Sequence, residues 1–327
     1  MKARINKAIE FLLARGNLPI LYWLKKDILE VPVDREFKNL KKYADRIRIL
    51  KSQRTNGGWC KKRYDGPLCW EKNHYIVPTL RNAFKLYDYG CQPEMVEVQK
   101  IIEFLFSTQT KEGDFRGAYL NEYAPTYHAL TLEVLCLFGM EKNRKCQKAF
   151  LWLLKNKQDD GGWVIPYRTI TKSKLNKRYN FEAQLKLDPV NSDKCKPFSH
   201  LVTGMVLRAL AVSPTRRKSK VAKETGKLIM QRFFCDDKYE DRHQASFWEE
   251  IIYPFWATDI LSSLDSLAKI GFDPNEKKIQ YALNWLINKQ EKRGYWRAGF
   301  EKATLEHHLW VTLSVLRVLK KFNLLVL

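Results

Sequence analysis

The segment QDDGGW, Gln158 to Trp163, decides the fold, because it returns along the chain as QRTNGGW from Gln53, QTKEGDF from Gln109 and QEKRGYW from Gln290. A recurring motif marks a repeat architecture, in which each unit buries its apolar face only against its neighbours. Upstream of the last copy, Ile279, Ala282, Leu283 and Leu286 fall at helical spacing, with Lys277, Lys278 and Lys289 on the other faces. Downstream comes a more apolar helical segment, Trp310 to Leu319. Each unit therefore reads as two helices joined by the motif. The glycines are expected to end the first helix as left-handed caps. The glutamine is expected to bond carbonyls at helix ends while the aromatic stacks over its amide. On this reading Gln53, Trp59, Gln109, Phe115, Gln158, Trp163, Gln290 and Trp296 are structural.

These residues resemble the QW repeats of the terpenoid cyclase and protein prenyltransferase superfamily, over about Asp34 to Leu327. Within it the chain is most similar to the short prokaryotic prenyltransferase/squalene oxidase repeat proteins, squalene-cyclase-like chains of unassigned activity. The resemblance implies an all-α fold, an α/α toroid of about six helix pairs. Outer helices would precede each motif, inner helices would follow it, and the central cavity is where related enzymes hold isoprenoid chains. Residues 1–327 are then expected to form a single domain. Residues 1–33 form an N-terminal helical hairpin without its own motif, and residues 34–327 form five QW-type pairs. The fourth copy, MQRFFCDDKY around Gln231, lacks the glycines. The third unit carries an insertion, residues 167–197, with eight Lys or Arg against three acidic residues. Insertions of this length into a short connection are commonly lids or binding loops, which predicts a cover over one mouth of the ring.

Lys and Arg total 58 against 36 Asp and Glu, a formal net charge of +22. Such an excess attracts polyanions, so nucleic acid through the basic surface and peripheral contact with an anionic membrane are both open to it. No nucleic-acid-binding signature accompanies the charge. No run of eighteen apolar residues occurs, so no transmembrane segment is expected. The N-terminus, with charges inside its apolar stretch and a GNLP break, does not read as a signal peptide. Seven cysteines without framework spacing suit a reducing, cytoplasmic compartment.

Aligning PTLRNAF, LTLEVLCL, VTGMVLRAL and VTLSVLRVL places His128 and His200 at one register, with His74 and His307 two residues earlier. In a toroid these first turns would converge on one mouth, where helix N-termini add positive potential suited to an anion. His128, His200 and His307 are accordingly candidate catalytic groups, and His74 and His308 candidate binding groups. Tyr127, Tyr253, Phe255, Trp256 and Trp310 are expected in the same turns, walling an apolar chain or facing a developing cation. Asp259, read as a carboxylate inside an inner helix, is a candidate proton donor. Lys172, Lys174, Lys177 and Arg178 of the insertion are candidate contacts to an anionic head.

The family comparison also marks what is missing. The DxDD acid of class II terpenoid cyclases does not occur. The prenyltransferase pattern DxCYxFW is matched by YPFW at Tyr253 to Trp256, but Glu250 and Ile252 stand at the aspartate and the zinc-binding cysteine. His308 matches the zinc histidine. Neither a metal site nor a cofactor is therefore expected, and Cys60, Cys69 and His74 have irregular spacing. The resulting expectation is a cyclase-like or prenyltransferase-like protein that binds an isoprenoid or other apolar chain with an anionic head. Two alternatives stand beside it: a basic scaffold that binds nucleic acid or has no catalytic role, and an enzyme acting on acidic polysaccharide.

Overall fold

The computed structural model describes residues 1–59, 74–170, 188–239 and 242–325. Among these, thirteen α-helices and no strands occur. They are α1 (Lys2–Arg15), α2 (Leu18–Trp23), α3 (Asp34–Leu40), α4 (Ala44–Lys51), α5 (Val77–Asp88), α6 (Val96–Ser107), α7 (Pro125–Leu137), α8 (Arg144–Lys155), α9 (His200–Val212), α10 (Lys220–Gln231), α11 (Ile260–Ile270), α12 (Lys277–Asn288) and α13 (Leu305–Lys321). A π-helical turn, Leu24–Leu29, continues α2.

Burial sorts these helices into two layers. In α8 the buried residues Cys146, Ala149, Phe150 and Leu153 follow the spacing of a one-sided helix, and Ile279, Ala282, Leu283 and Leu286 do the same in α12. In α7, by contrast, Thr126 and every residue from His128 to Cys136 are buried, as expected of a helix enclosed on all sides. The enclosed helices pack in sequence, α5 on α7, α7 on α9, α9 on α11 and α11 on α13. Helix α13 then packs on α1, α2 and the π turn. From the π-helical end of α2, Trp23 donates to the Asp88 carbonyl at the end of α5 and stacks on Tyr87, which closes the circuit. The fold is an α/α toroid, with α1, α4, α6, α8, α10 and α12 outside.

The motif turns explain how neighbouring pairs are tied. Gln53 Nε2 donates to its own turn at Gly57 and to the Glu97 carbonyl in the first turn of the next outer helix, both at 2.9 Å. Gln109 repeats this on Gly113 and Lys145, and Gln290 on Gly294 and Arg4. The last of these carries the pattern across the ring's seam, binding the final unit to the N-terminal hairpin. The indole N–H of each motif tryptophan returns to a carbonyl ten residues upstream: Trp59 to Ile49, Trp163 to Leu153 and Trp296 to Leu286. Their backbone amides donate to Thr79, Thr203 and Thr312 of the following inner helix.

The glycines act differently from the expected caps. The outer helices end at Ser52, Thr108, Asn156 and Lys289, none of them left-handed. The glycine comes later, inside the turn, where the next outer helix passes close by. Gly294 has φ +97° and a Cβ there would lie 2.6 Å from the Lys7 carbonyl, so both conformation and space demand glycine. Two units depart from the pattern. In the third, Gln158 donates to Asp193 and Lys196, so the returning end of the insertion takes the place of an outer helix. In the fourth, Gln231 is the exposed last residue of α10, and Trp248 supplies the indole, donating to the Cys235 carbonyl.

Candidate functional site: a charged cavity above an aromatic floor

A loop, not a helix, occupies the centre of the ring. The sequence reading placed Tyr253, Phe255 and Trp256 in the first turn of an inner helix, but α11 begins only at Ile260. Asp259 is its N-cap rather than an interior residue: its Oδ1 accepts from Ser262 N at 2.7 Å in a capping box, and Oδ2 accepts from Ile252 N. Burial pushes its carboxyl up to about 6, against the pull of these bonds. The loop that precedes it reaches four inner helices. Tyr253 donates to Asp88 Oδ1 of α5 at 2.9 Å and stacks on Trp310 of α13 at 5.3 Å. Phe255 lies under the Arg208 guanidinium of α9, and Trp256 meets Tyr127 of α7 and Arg81 of α5. A four-residue segment touching α5, α7, α9 and α13 must lie near the ring axis. It divides the ring into two sides.

On the side of the helix N-termini lie the predicted histidines, and their side chains are bonded to the backbone or packed on rings. His128, fully buried, accepts from Phe115 N at Nδ1 and therefore carries its proton at Nε2, which donates to the Ala149 carbonyl at 3.0 Å. It does for the second unit what Thr203 and Thr312 do for theirs, and also reaches the next outer helix. Burial pulls its pKa down to about 4, keeping it neutral. His200 packs on Trp248 at 4.7 Å with Asp237 3.7 Å away, and burial lowers its pKa despite that carboxylate. His307 forms the capping box of α13 with Thr304, and His308 Nδ1 accepts from Ala298 N. His74 sits edge-on to Tyr119 and Tyr127. Each of these histidines thus has backbone or ring contacts of its own. Glu250 pairs with Arg242. Lys172, Lys174, Lys177 and Arg178, like Cys60 and Cys69, lie outside the described residues. The described flanks of the insertion belong to the histidine side, where Tyr167 meets Tyr119 and Val190 N donates to Glu122.

On the other side is a cavity of about 760 Å³, lined by the C-terminal halves of the inner helices. Trp23, Phe84, Tyr253 and Phe255 give it aromatic walls and a floor. Trp310 backs that floor without lining the cavity. Most of the remaining lining is charged, and apart from Lys26, whose Nζ donates to the Tyr22 hydroxyl, its lysines and Arg317 are paired with carboxylates. Arg317 meets Asp27 at 2.8 Å, Lys320 meets Glu30 at 2.6 Å, and Lys269 and Lys321 share Asp265, each at 2.6 Å. Burial would raise Asp265, but its two lysines outweigh that and hold the carboxyl well below the usual range.

Two lining groups are not satisfied in this way. Arg208 is 3 % exposed and gives only Nη2 to Glu133, at 2.6 Å, while its Nε and Nη1 are buried without a hydrogen-bond partner. Leaving buried guanidinium donors unmet costs about 1–3 kcal/mol or more, so an acceptor in the cavity would be strongly favoured. Asp88 is the second: its Oδ1 accepts from Tyr253, and burial pushes the carboxyl up to about 7 in spite of Arg317. Neither residue was singled out from the sequence. The signal was nevertheless present, because Arg208 and Arg317 each lie five residues after the motif-binding threonines Thr203 and Thr312, as single charges within apolar stretches.

No family model matches the chain, and comparison with curated proteins finds no match. Among solved structures it is similar to a protein from Actinoplanes at 16 % identity and a TM-score of 0.47, over 98 % of this chain and 99 % of that one. It is also similar to the type II terpene cyclase MstE from Scytonema, in a variant bound to merosterolic acid A (product) and in another bound to geranylgeranyl dihydroxybenzoate (substrate). Each of these has 12 % identity and a TM-score of 0.38, over 88 % of this chain and 99 % of that one. Among the described residues no helix is long and apolar enough to cross a membrane. The assignment of a toroid rests on the chain's own helix packing.

Proposed function

We propose that this protein acts as a cyclase-like or prenyltransferase-like binder of an isoprenoid or other apolar chain with an anionic head, held in the cavity above the Tyr253–Phe255 floor. The apolar part lies against Trp23, Phe84, Tyr253 and Phe255, where aromatic faces offer buried area. The head lies at Arg208. The single observation that carries this reading is the pair of buried, partnerless donors on that guanidinium, in a cavity where Lys269, Arg317, Lys320 and Lys321 already have carboxylate partners and Lys26 is turned to the Tyr22 hydroxyl and the Trp23 ring.

Calorimetric titration with farnesyl diphosphate, and with farnesol as the uncharged control, tests it. Removing Arg208 alone would strand the Glu133 carboxylate, so the informative variants are Glu133→Gln and the double variant Arg208→Met with Glu133→Gln. Glu133→Gln should tighten diphosphate binding about tenfold, because the guanidinium loses its competing anion. The double variant should lose that affinity and bind farnesol as the parent does. Equal affinity of all three proteins for the diphosphate would contradict the assignment and shift the anion to the +22 surface.

A further inference from the structure

Asp88 occupies an unusual place in this cavity. Every other lining carboxylate is within 2.9 Å of a lysine or arginine, whereas Asp88 receives only a neutral hydroxyl, from Tyr253. Its Oδ2 has no hydrogen bond to any of the described residues. Its backbone is fixed by the Trp23 indole, so the carboxyl is held where it lines the same space as Arg208. The groups facing it are known from each packed element. Arg317 of α13 is the near cation and is itself held by Asp27, Lys26 lies over the Trp23 ring, and Tyr87 and Tyr253 are phenols kept neutral by burial.

We propose that the cavity is a proton-coupled anion site, in which an anionic head held at Arg208 is accommodated only with Asp88 protonated. This rests on the Arg208 reading and specifies its control. Two negative groups in one poorly hydrated space repel each other, and the carboxyl, whose pKa already lies at about 7, relieves the repulsion by taking up a proton on its free oxygen. By linkage the anion raises the affinity of Asp88 for its proton as much as protonation raises the affinity for the anion. The neutral carboxylic acid then presents an O–H donor, Oδ2–H, to a ligand oxygen. At neutral pH the ligand itself decides the protonation state of the cavity floor.

The test uses decanesulfonate below its micelle concentration, since its head keeps one charge throughout the range. Titrations run at pH 6 and pH 8.5, the latter in two buffers of different ionisation heat, report affinity and proton exchange together. Affinity should fall about thirtyfold from pH 6 to pH 8.5, with uptake approaching one proton per ligand at pH 8.5. Asp88→Asn should bind equally at both pH values and take up no proton. Tyr253→Phe, which removes a bond that favours the carboxylate, should move the midpoint of the pH dependence upward. Binding with no pH dependence and no proton uptake in the parent, or a pH dependence that survives Asp88→Asn, overturns the coupling while leaving the Arg208 site standing. Failure of the parent to bind decanesulfonate at either pH defeats the Arg208 site, and the coupling with it.

Discussion

The two sides of the Tyr253–Trp256 loop use the same class of residue, buried and ionisable, to opposite ends. On the side of the helix N-termini, His128 and Asp259 give their polar atoms to backbone amides or carbonyls and lock one unit to the next or start a helix. On the far side, Arg208 and Asp88 keep polar atoms without partners above an aromatic floor. A buried ionisable group therefore says little by its type. For these four residues, what separates a structural role from the proposed binding role is whether hydrogen-bonding capacity is already satisfied; His200, whose Nδ1 is buried without a hydrogen bond and 3.7 Å from Asp237, falls between the two.

Variants and pH changes test this contrast. The largest effect is expected from His128→Ala, which empties a packed site and orphans a buried amide and carbonyl. Stability to denaturant should fall by about 3 to 5 kcal/mol, with ligand affinity of the surviving fold unchanged. A fall in affinity at constant stability would move His128 to the binding side.

The pH limbs should divide the same way. Asp88 has a folded pKa of about 7, raised from an ordinary 3.8, so the native state holds the extra proton and loses stability as pH rises from about 4 to about 7. Asp88→Asn should therefore be more stable than the parent at pH 8, by up to about 4 kcal/mol, with less advantage at pH 5. His128 has the opposite sign in its proton count. Its folded pKa, about 4 against an ordinary 6.5, means that its neutral form stabilises the protein above pH 6.5 and that this is lost as pH falls towards 4. Parent stability should drop by up to about 3 kcal/mol over that window, and the drop should shrink in His128→Gln. Thermal or denaturant melts at pH 4.5, 6.5 and 8 distinguish the two. The smallest effect belongs to His307→Ala, a half-exposed cap, which should cost about 1 kcal/mol or less and leave binding intact.

The toroid was legible in the sequence because its ties are repeated: a glutamine, a close-approach glycine and an aromatic six residues after the glutamine recur in the first, second and last motif-bearing units. The cavity was much less so. Its lining comes from the later turns of inner helices distant in sequence, where Lys269, Lys320 and Lys321 read as an ordinary solvated end. Histidines at helix starts formed the more conspicuous pattern, yet the alignment that revealed them also held Glu133, Arg208 and Arg317, charges with no place in an apolar helix unless something meets them. The loop at Tyr253 escaped because its apolar run continues into α11, and only the capping box at Asp259 shows that the helix starts late.

The proposed ligand site lies on the Arg208 side of the aromatic loop and not on the histidine side. The most direct measurement is photolabelling with a diazirine-bearing alkanesulfonate, followed by mapping of the labelled residues by peptide mass spectrometry. Saturable labels at Phe84, Tyr253, Phe255 and the end of α13, displaced by unlabelled decanesulfonate, are the expected result. Saturable labels confined to His74, Tyr127 and Trp256 would return the site to the histidine side.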